Sequence, residues 1–199
     1  IMKEQKYFLS KAQENYPELI YTELTPDITE FTATSGDSIL LDLGKHAVGH
    51  FSFAFDKVDI FVDAPVRLVI RFGEDMREIN DDFSQYNGTL SKTWLQEEII
   101  NLDFPQKTTL PRRYACRYIK ITAEKANRPI RLSDFSFRAS TSADVSVLKS
   151  ANTGDALLNK IDLVATNTLK ECMQTFFEDG PKRCLLYTSP SPRDATLSR

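Results

Sequence analysis

Phe51-Ser52-Phe53-Ala54-Phe55 is the stretch on which the fold turns. Side chains of a strand point alternately to opposite faces, so the three phenylalanines share one face and Ser52 and Ala54 the other. Three aromatic rings in a row cannot be left in water, and a sheet must cover them. The runs on either side read the same way. Ile39 to Leu43, His50 to Phe55, Asp59 to Val62, Arg67 to Phe72, Glu98 to Leu102, Tyr114 to Ala123 and Ile130 to Arg138 are short apolar segments punctuated by Gly, Pro, Asn and Asp. Ile119 and Ile121 share a face with Arg117, while Cys116, Tyr118 and Lys120 take the other. Both faces are mixed, which predicts a second layer over this strand. Phe135 and Phe137 share a face near the end of the set. The expectation is a mainly β fold over residues 38–140, an antiparallel β-sandwich of the jelly-roll or galactose-binding-like kind. Residues 1–37 lack this pattern and read as an irregular lead-in with room for one edge strand.

Past Thr141-Ser142-Ala143-Asp144 the period changes. Leu157, Leu158, Ile161, Val164, Ala165, Leu169 and Cys172 recur at helical spacing, one apolar stripe on one long α-helix. Asn152 or Thr153 offers an N-cap oxygen, Asp155 puts negative charge in the first turn, and the helix is predicted to run to Cys172 or Met173. Gly180 and Pro181 stop the chain from continuing as helix. One helix cannot bury its own stripe, so residues 145–183 are expected to open a further domain that these 199 residues do not finish. Residues 184–199, rich in Ser and Pro with neither period, read as a disordered, non-native tail.

Thr175-Phe176-Phe177-Glu178-Asp179-Gly180-Pro181-Lys182-Arg183 gathers two acids and two bases in a turn after that helix. Carboxylates accept hydrogen bonds from hydroxyls, a guanidinium donates a planar fork, and Gly-Pro fixes the backbone that carries them, so such a turn can grip a polyhydroxylated ligand. A solvated helix terminus with a Gly-Pro stop accounts for the same residues without any ligand.

The composition narrows the partners. Against 25 basic residues stand 28 acidic ones, for a net charge of -3, so no basic field awaits a phosphate backbone and nucleic acid is not an expected partner. No apolar run is long enough to span a bilayer, and no membrane partner is expected. The chain begins at Ile1, which leaves localisation, cytoplasmic or secreted, open. Cys116, Cys172 and Cys184 are odd in number and in no CxxC arrangement, and suggest neither a disulfide framework nor a zinc site.

Three stretches carry a family resemblance: Leu43-Gly44-Lys45-His46-Ala47-Val48-Gly49-His50-Phe51-Ser52-Phe53, Leu110-Pro111-Arg112-Arg113-Tyr114-Ala115-Cys116-Arg117-Tyr118-Ile119-Lys120-Ile121, and Asp179-Gly180-Pro181-Lys182-Arg183. Together they resemble bacterial α-L-rhamnosidases, family 78 of the glycoside hydrolases. The first two are similar to the accessory β-sandwich of that family. The third is similar to a substrate-site motif, commonly Asp-Cys-Pro-Gln-Arg, in its six-hairpin α/α-barrel. The resemblance implies that Asp179 and Arg183 bind sugar; Gly180 and Lys182 depart from the commoner residues and leave the exact sugar open. It also implies inverting hydrolysis by a general acid and a general base, which require a separation of ~6.5–9.5 Å to admit water. Both lie beyond Arg183 in the family, so no catalytic residue is expected in this chain, which is predicted inactive by itself. No cofactor or metal is implied; the expected partner is a rhamnose-containing glycan or glycoside.

Other candidates have plainer readings. Trp94, with Phe83 and Tyr86 nearby in a polar stretch, could stack on a sugar, though aromatics more often anchor a loop or core. His46 and His50 have the spacing of a helical metal pair, but Gly44 and Gly49 bracket them in a strand-and-turn setting. Arg112, Arg113 and Arg117 read as a solvated strand start with local salt bridges. The enzyme reading competes with a carbohydrate-binding module and with a purely structural β-domain.

Overall fold

The computed structural model describes residues 18–58, 64–89, 91–144, 146, 149, 152–175, 177, 178 and 180–182. The strand expected at Asp59 to Val62 and the tail expected at 184–199 lie outside the described residues.

The described chain is mostly β, as the alternation predicts. Eight strands, β1 (Ile20–Leu24), β2 (Glu30–Ala33), β3 (Ser38–Lys57), β4 (Val66–Gly73), β5 (Gln96–Leu102), β6 (Gln106–Thr109), β7 (Tyr114–Lys125) and β8 (Ile130–Thr141), form antiparallel pairs. Their order is β1-β8-β3-β7-β4-β5, with β2 also on β8 and β6 also on β3. A short helix α1 (Met76–Asn80) interrupts them, and the long helix α2 (Ala156–Cys172) follows.

The strand that carries the phenylalanines organises the sheet. Ile39 to Leu43 and His50 to Phe55, expected as separate strands, are one strand of 20 residues. Its first half pairs with β7 and its second half with β8 and β6. The handover falls at Gly49, which faces Tyr114 on one side and Ala139 on the other. A Cβ at Gly49 would lie 2.1 Å from the Arg138 carbonyl oxygen, so this glycine serves close backbone approach within a strand and does not bracket a turn. Strands that change neighbours in this way let the two halves of a sandwich face each other. Phe51, Phe53 and Phe55 are fully buried. The ring of Phe51 meets Phe72 of β4 edge-on at 6.0 Å and stacks with Phe135 of the neighbouring strand β8 at 6.5 Å.

Two irregularities explain the mixed faces. Between Asp42 and Ala47 the β3–β7 register slips, and Arg117 opposite the slip pairs with Asp42 at the surface while Cys116 and Ile119 on either side both enter the core. Between Ser52 and Ala54 the β3–β8 register slips again. There Asp134 takes φ 51, the left-handed region, so that Leu132 and Phe135 both point inward. The sheet also reaches back before Ser38. Two strands, β1 and β2, pair with β8 where one edge strand was expected within residues 1–37; β1 is exposed along almost all its length and is held by main-chain bonds, so it carries no alternation.

Candidate functional site

α2 is attached to the sheet at its C-terminal end. Its N-cap is Asp155, whose carboxylate accepts from the amides of Leu157 and Leu158; Thr153, expected there, instead donates its hydroxyl to the Asp155 carbonyl. Of the expected apolar stripe only Cys172 is buried, while Leu157, Leu158, Ile161, Val164 and Leu169 are each about half exposed or more. The last turn is a different matter. Thr141 of β8 donates its hydroxyl to the carbonyls of Lys170 and Met173, and the Ser142 amide donates to Met173 at 2.7 Å, satisfying carbonyls that a helix end leaves open. Buried Gln174 donates to the carbonyls of Ser140 and Glu171 and accepts from the Ser140 hydroxyl. The chain then turns back on itself: Met173 bridges Phe177, and the Glu178 amide donates to the Cys172 carbonyl.

Three ion pairs fasten the end of α2 and this turn to the β-domain. The register slip in β3 is held by Asp42, which accepts from the amide of Gly44 (φ 75) and from Arg117. That slip presents His46, whose Nδ1 lies 2.5 Å from Glu171 of α2 and whose Nε2 lies 3.5 Å from Glu74. Burial opposes a charge on His46, but its hydrogen bond to Glu171 and the nearby Glu74 carboxylate prevail and raise its pKa to about 9. Arg113, just before β7, donates from Nη2 to both oxygens of buried Glu178, at 2.5 and 2.6 Å. Lys182 pairs with Glu78 of α1.

Asp179 and Arg183, the expected sugar contacts, lie outside the described residues. Their neighbours Thr175, Pro181 and Lys182 line a cleft of about 430 Å³ with Trp94, Arg113, His50 and Tyr21. Trp94 ends a short helical turn, Lys92–Trp94, capped by Ser91, and lines the cleft beside the turn that follows α2, while Phe83 is buried under Arg71. His46 and His50 form no pair, since His46 joins the carboxylates and His50 faces the cleft. Nothing in the sequence marked Arg113 as the partner of Glu178, because the two are 65 positions apart.

The family model of the glycosyl hydrolase family 78 alpha-rhamnosidase N-terminal domain matches residues 17–139. The chain belongs to this family. A solved structure, a rhamnosidase from Klebsiella oxytoca with rhamnose bound, is 34% identical at a TM-score of 0.78 over 86% of this chain. Residues 1–139 could not supply so large a share, so the likeness runs past the family 78 N-terminal domain toward α2. This chain covers 39% of that Klebsiella protein. The family 78 rhamnosidase of Bacillus sp. GL1 (22% identity, TM-score 0.54, 72% of this chain and 14% of that one) shares the fold. So does the alpha-L-rhamnosidase from Dictyoglomus thermophilum (17%, 0.51, 83% and 18%). No curated protein sequence matches this chain significantly.

Proposed function

We propose that this chain is the N-terminal part of a glycoside hydrolase that removes terminal α-L-rhamnose from glycans or glycosides with inversion, its β-sandwich serving the catalytic domain that α2 opens. The carrying observation is α2 itself: its C-terminal turn is fixed to a family 78 β-domain by buried polar contacts, while its apolar stripe is exposed. A stripe of that kind fits helices of an α/α-barrel packing onto it. The rhamnose held by the Klebsiella relative supports rhamnose as the sugar. Asp179 and Arg183 are assigned to sugar binding, and the acid and base to the barrel. For residues 38–140 the three ion pairs favour a scaffolding role, holding the end of α2, Glu178 and Lys182 against the β-domain. The domain limits proposed are 38–140 for the sandwich, extended by β1 and β2, and 145–183 for the start of the barrel.

The test is hydrolysis of an aryl α-L-rhamnoside by the 199-residue chain and by the same chain joined to the barrel of a family relative after Arg183, with the anomer of the released sugar read by NMR. The expected result is no turnover by the chain alone and β-rhamnose as first product of the joined protein. Turnover by the chain alone, or a first product of retained configuration, overturns the proposal.

A further inference from the structure

Beside the turn that follows α2, the cleft with Trp94 does not end. A second depression of about 340 Å³ continues from it along the outer face of β1, β3 and β8, sharing Tyr21 and His50 and reaching Ser52, Thr109 and Arg138. The floor thus carries two aromatic residues, half-buried Trp94 and Tyr21 (47% exposed), the latter with the Arg138 guanidinium over one face of its ring at 3.9 Å.

The charges along this track are already matched. Arg113 faces Glu178, Lys182 faces Glu78, and Arg138 lies 3.8 Å from Glu23. A phosphate or carboxylate would have to break one of these pairs, whereas a neutral ligand need not. His50 belongs to the same chemistry. Burial, then Arg113 and Arg138, hold its pKa below the usual histidine range, so near neutral pH its imidazole is uncharged and can both donate and accept. Aromatic faces with flanking hydroxyls, amides and a neutral imidazole suit pyranose rings, which offer an apolar face and a rim of hydroxyls.

We infer that this track on the β-domain binds the neutral sugars to which the terminal rhamnose is attached, with Trp94 and Tyr21 as stacking platforms. The inference rests on the proposed reading of residues 179–183 as the terminal-sugar site, because the track leads away from that turn. It gives the β-sandwich a part in substrate selection beyond support.

Trp94 is the sole tryptophan, so the chain's own fluorescence reports on the track. The 199-residue chain is titrated with a rhamnosyl-glucose disaccharide and, separately, with L-rhamnose, following tryptophan emission and, for variants, calorimetry. The disaccharide is expected to shift the emission saturably and to bind at least about tenfold tighter than rhamnose. Trp94→Ala should abolish that difference, Trp94→Phe restore most of it, and Tyr21→Ala weaken it, with unchanged circular dichroism. Equal affinity for rhamnose alone, no response to the disaccharide, or a difference that survives Trp94→Ala overturns the inference. Failure of the rhamnosidase reading shows separately, as absent hydrolysis by the joined protein described above.

Discussion

Arg113 and Glu178, 65 positions apart, meet in a pair in which one guanidinium nitrogen reaches both carboxylate oxygens, at 2.5 and 2.6 Å. The carboxylate is almost wholly buried and the arginine about a quarter exposed. Removing the arginine strands a buried charge, which is costlier than never having had the pair. Because the turn is peripheral to the core, the cost should fall on local opening. Arg113→Ala is expected to weaken the turn by about 2 kcal/mol, or ~30-fold faster amide exchange at Glu178 and Met173. Exchange in β4 and β7 should be unchanged, and Arg113→Met with Glu178→Leu should recover most of the protection. Hydrogen exchange read by mass spectrometry decides it: uniform exchange across the molecule would contradict a local latch.

His46 makes stability fall with alkali. Its folded pKa, about 9, exceeds the ordinary 6.5, so its contribution is complete below about pH 6.5 and is lost as pH rises toward 9. Glu74 has the opposite sense. Its pairing with His46, opposed by burial, lowers its pKa, so its contribution holds above the usual carboxylate range and is lost in acid. Both are in place only in mildly acidic solution. Allowing for solvent at the partly exposed imidazole, urea denaturation should show about 2 kcal/mol less stability at pH 9 than at pH 6.5. His46→Gln should flatten that slope, and an equal slope in the variant would assign it to another group.

Among the described glycines Gly49 leaves the least room for a side chain, and Gly49→Ala tests it. With the Arg138 carbonyl oxygen 2.1 Å from the new methyl group, and backbone on both sides, β3 must shift from β8. A loss of about 3 kcal/mol is expected, seen as a lower denaturation midpoint with the urea m-value retained. Gly44→Ala meets open space and strains only a left-handed φ of 75, so it should cost about 1 kcal/mol. The order of the two variants is the check.

What the sequence disclosed follows the same physics. Phe51, Phe53 and Phe55 announced their strand because burial on one face forces alternation. β1 and β6 left no such trace, since both are largely exposed and hold their places by main-chain bonds to β8 and β3, which any residues can make. The slips at Asp42/Ala47 and Ser52/Ala54 hid the pairing of faces, because an odd excess of residues, three in β3 at the first and one in β8 at the second, inverts the alternation beyond it. At the site, Trp94 could be singled out as the one tryptophan, in a polar stretch with Phe83 and Tyr86, but its nearness to Pro181 and Lys182 depends on long-range folding. The ion pairs His46–Glu171 and Arg113–Glu178 are likewise meetings of distant segments.

The exposed stripe of α2 separates folding from assembly. Leu157 and Val164 are each 65% exposed, so in this chain their side chains gain little from burial. Leu157→Lys with Val164→Lys should leave the melting temperature of the 199-residue chain within a degree or two and weaken binding of a hydrophobic dye. Asp155→Ala, by contrast, removes the cap on the Leu157 and Leu158 amides and should cost α2 about 1 kcal/mol, visible as lost helical circular dichroism. When the chain is joined to a barrel, the ranking inverts. Helices packed on the stripe would then have to bury two lysines, and the double variant should fail to assemble or lose at least about 3 kcal/mol, whereas the cap variant costs no more than before. An assembled, fully stable joined protein carrying both lysines would show that α2 packs through another face.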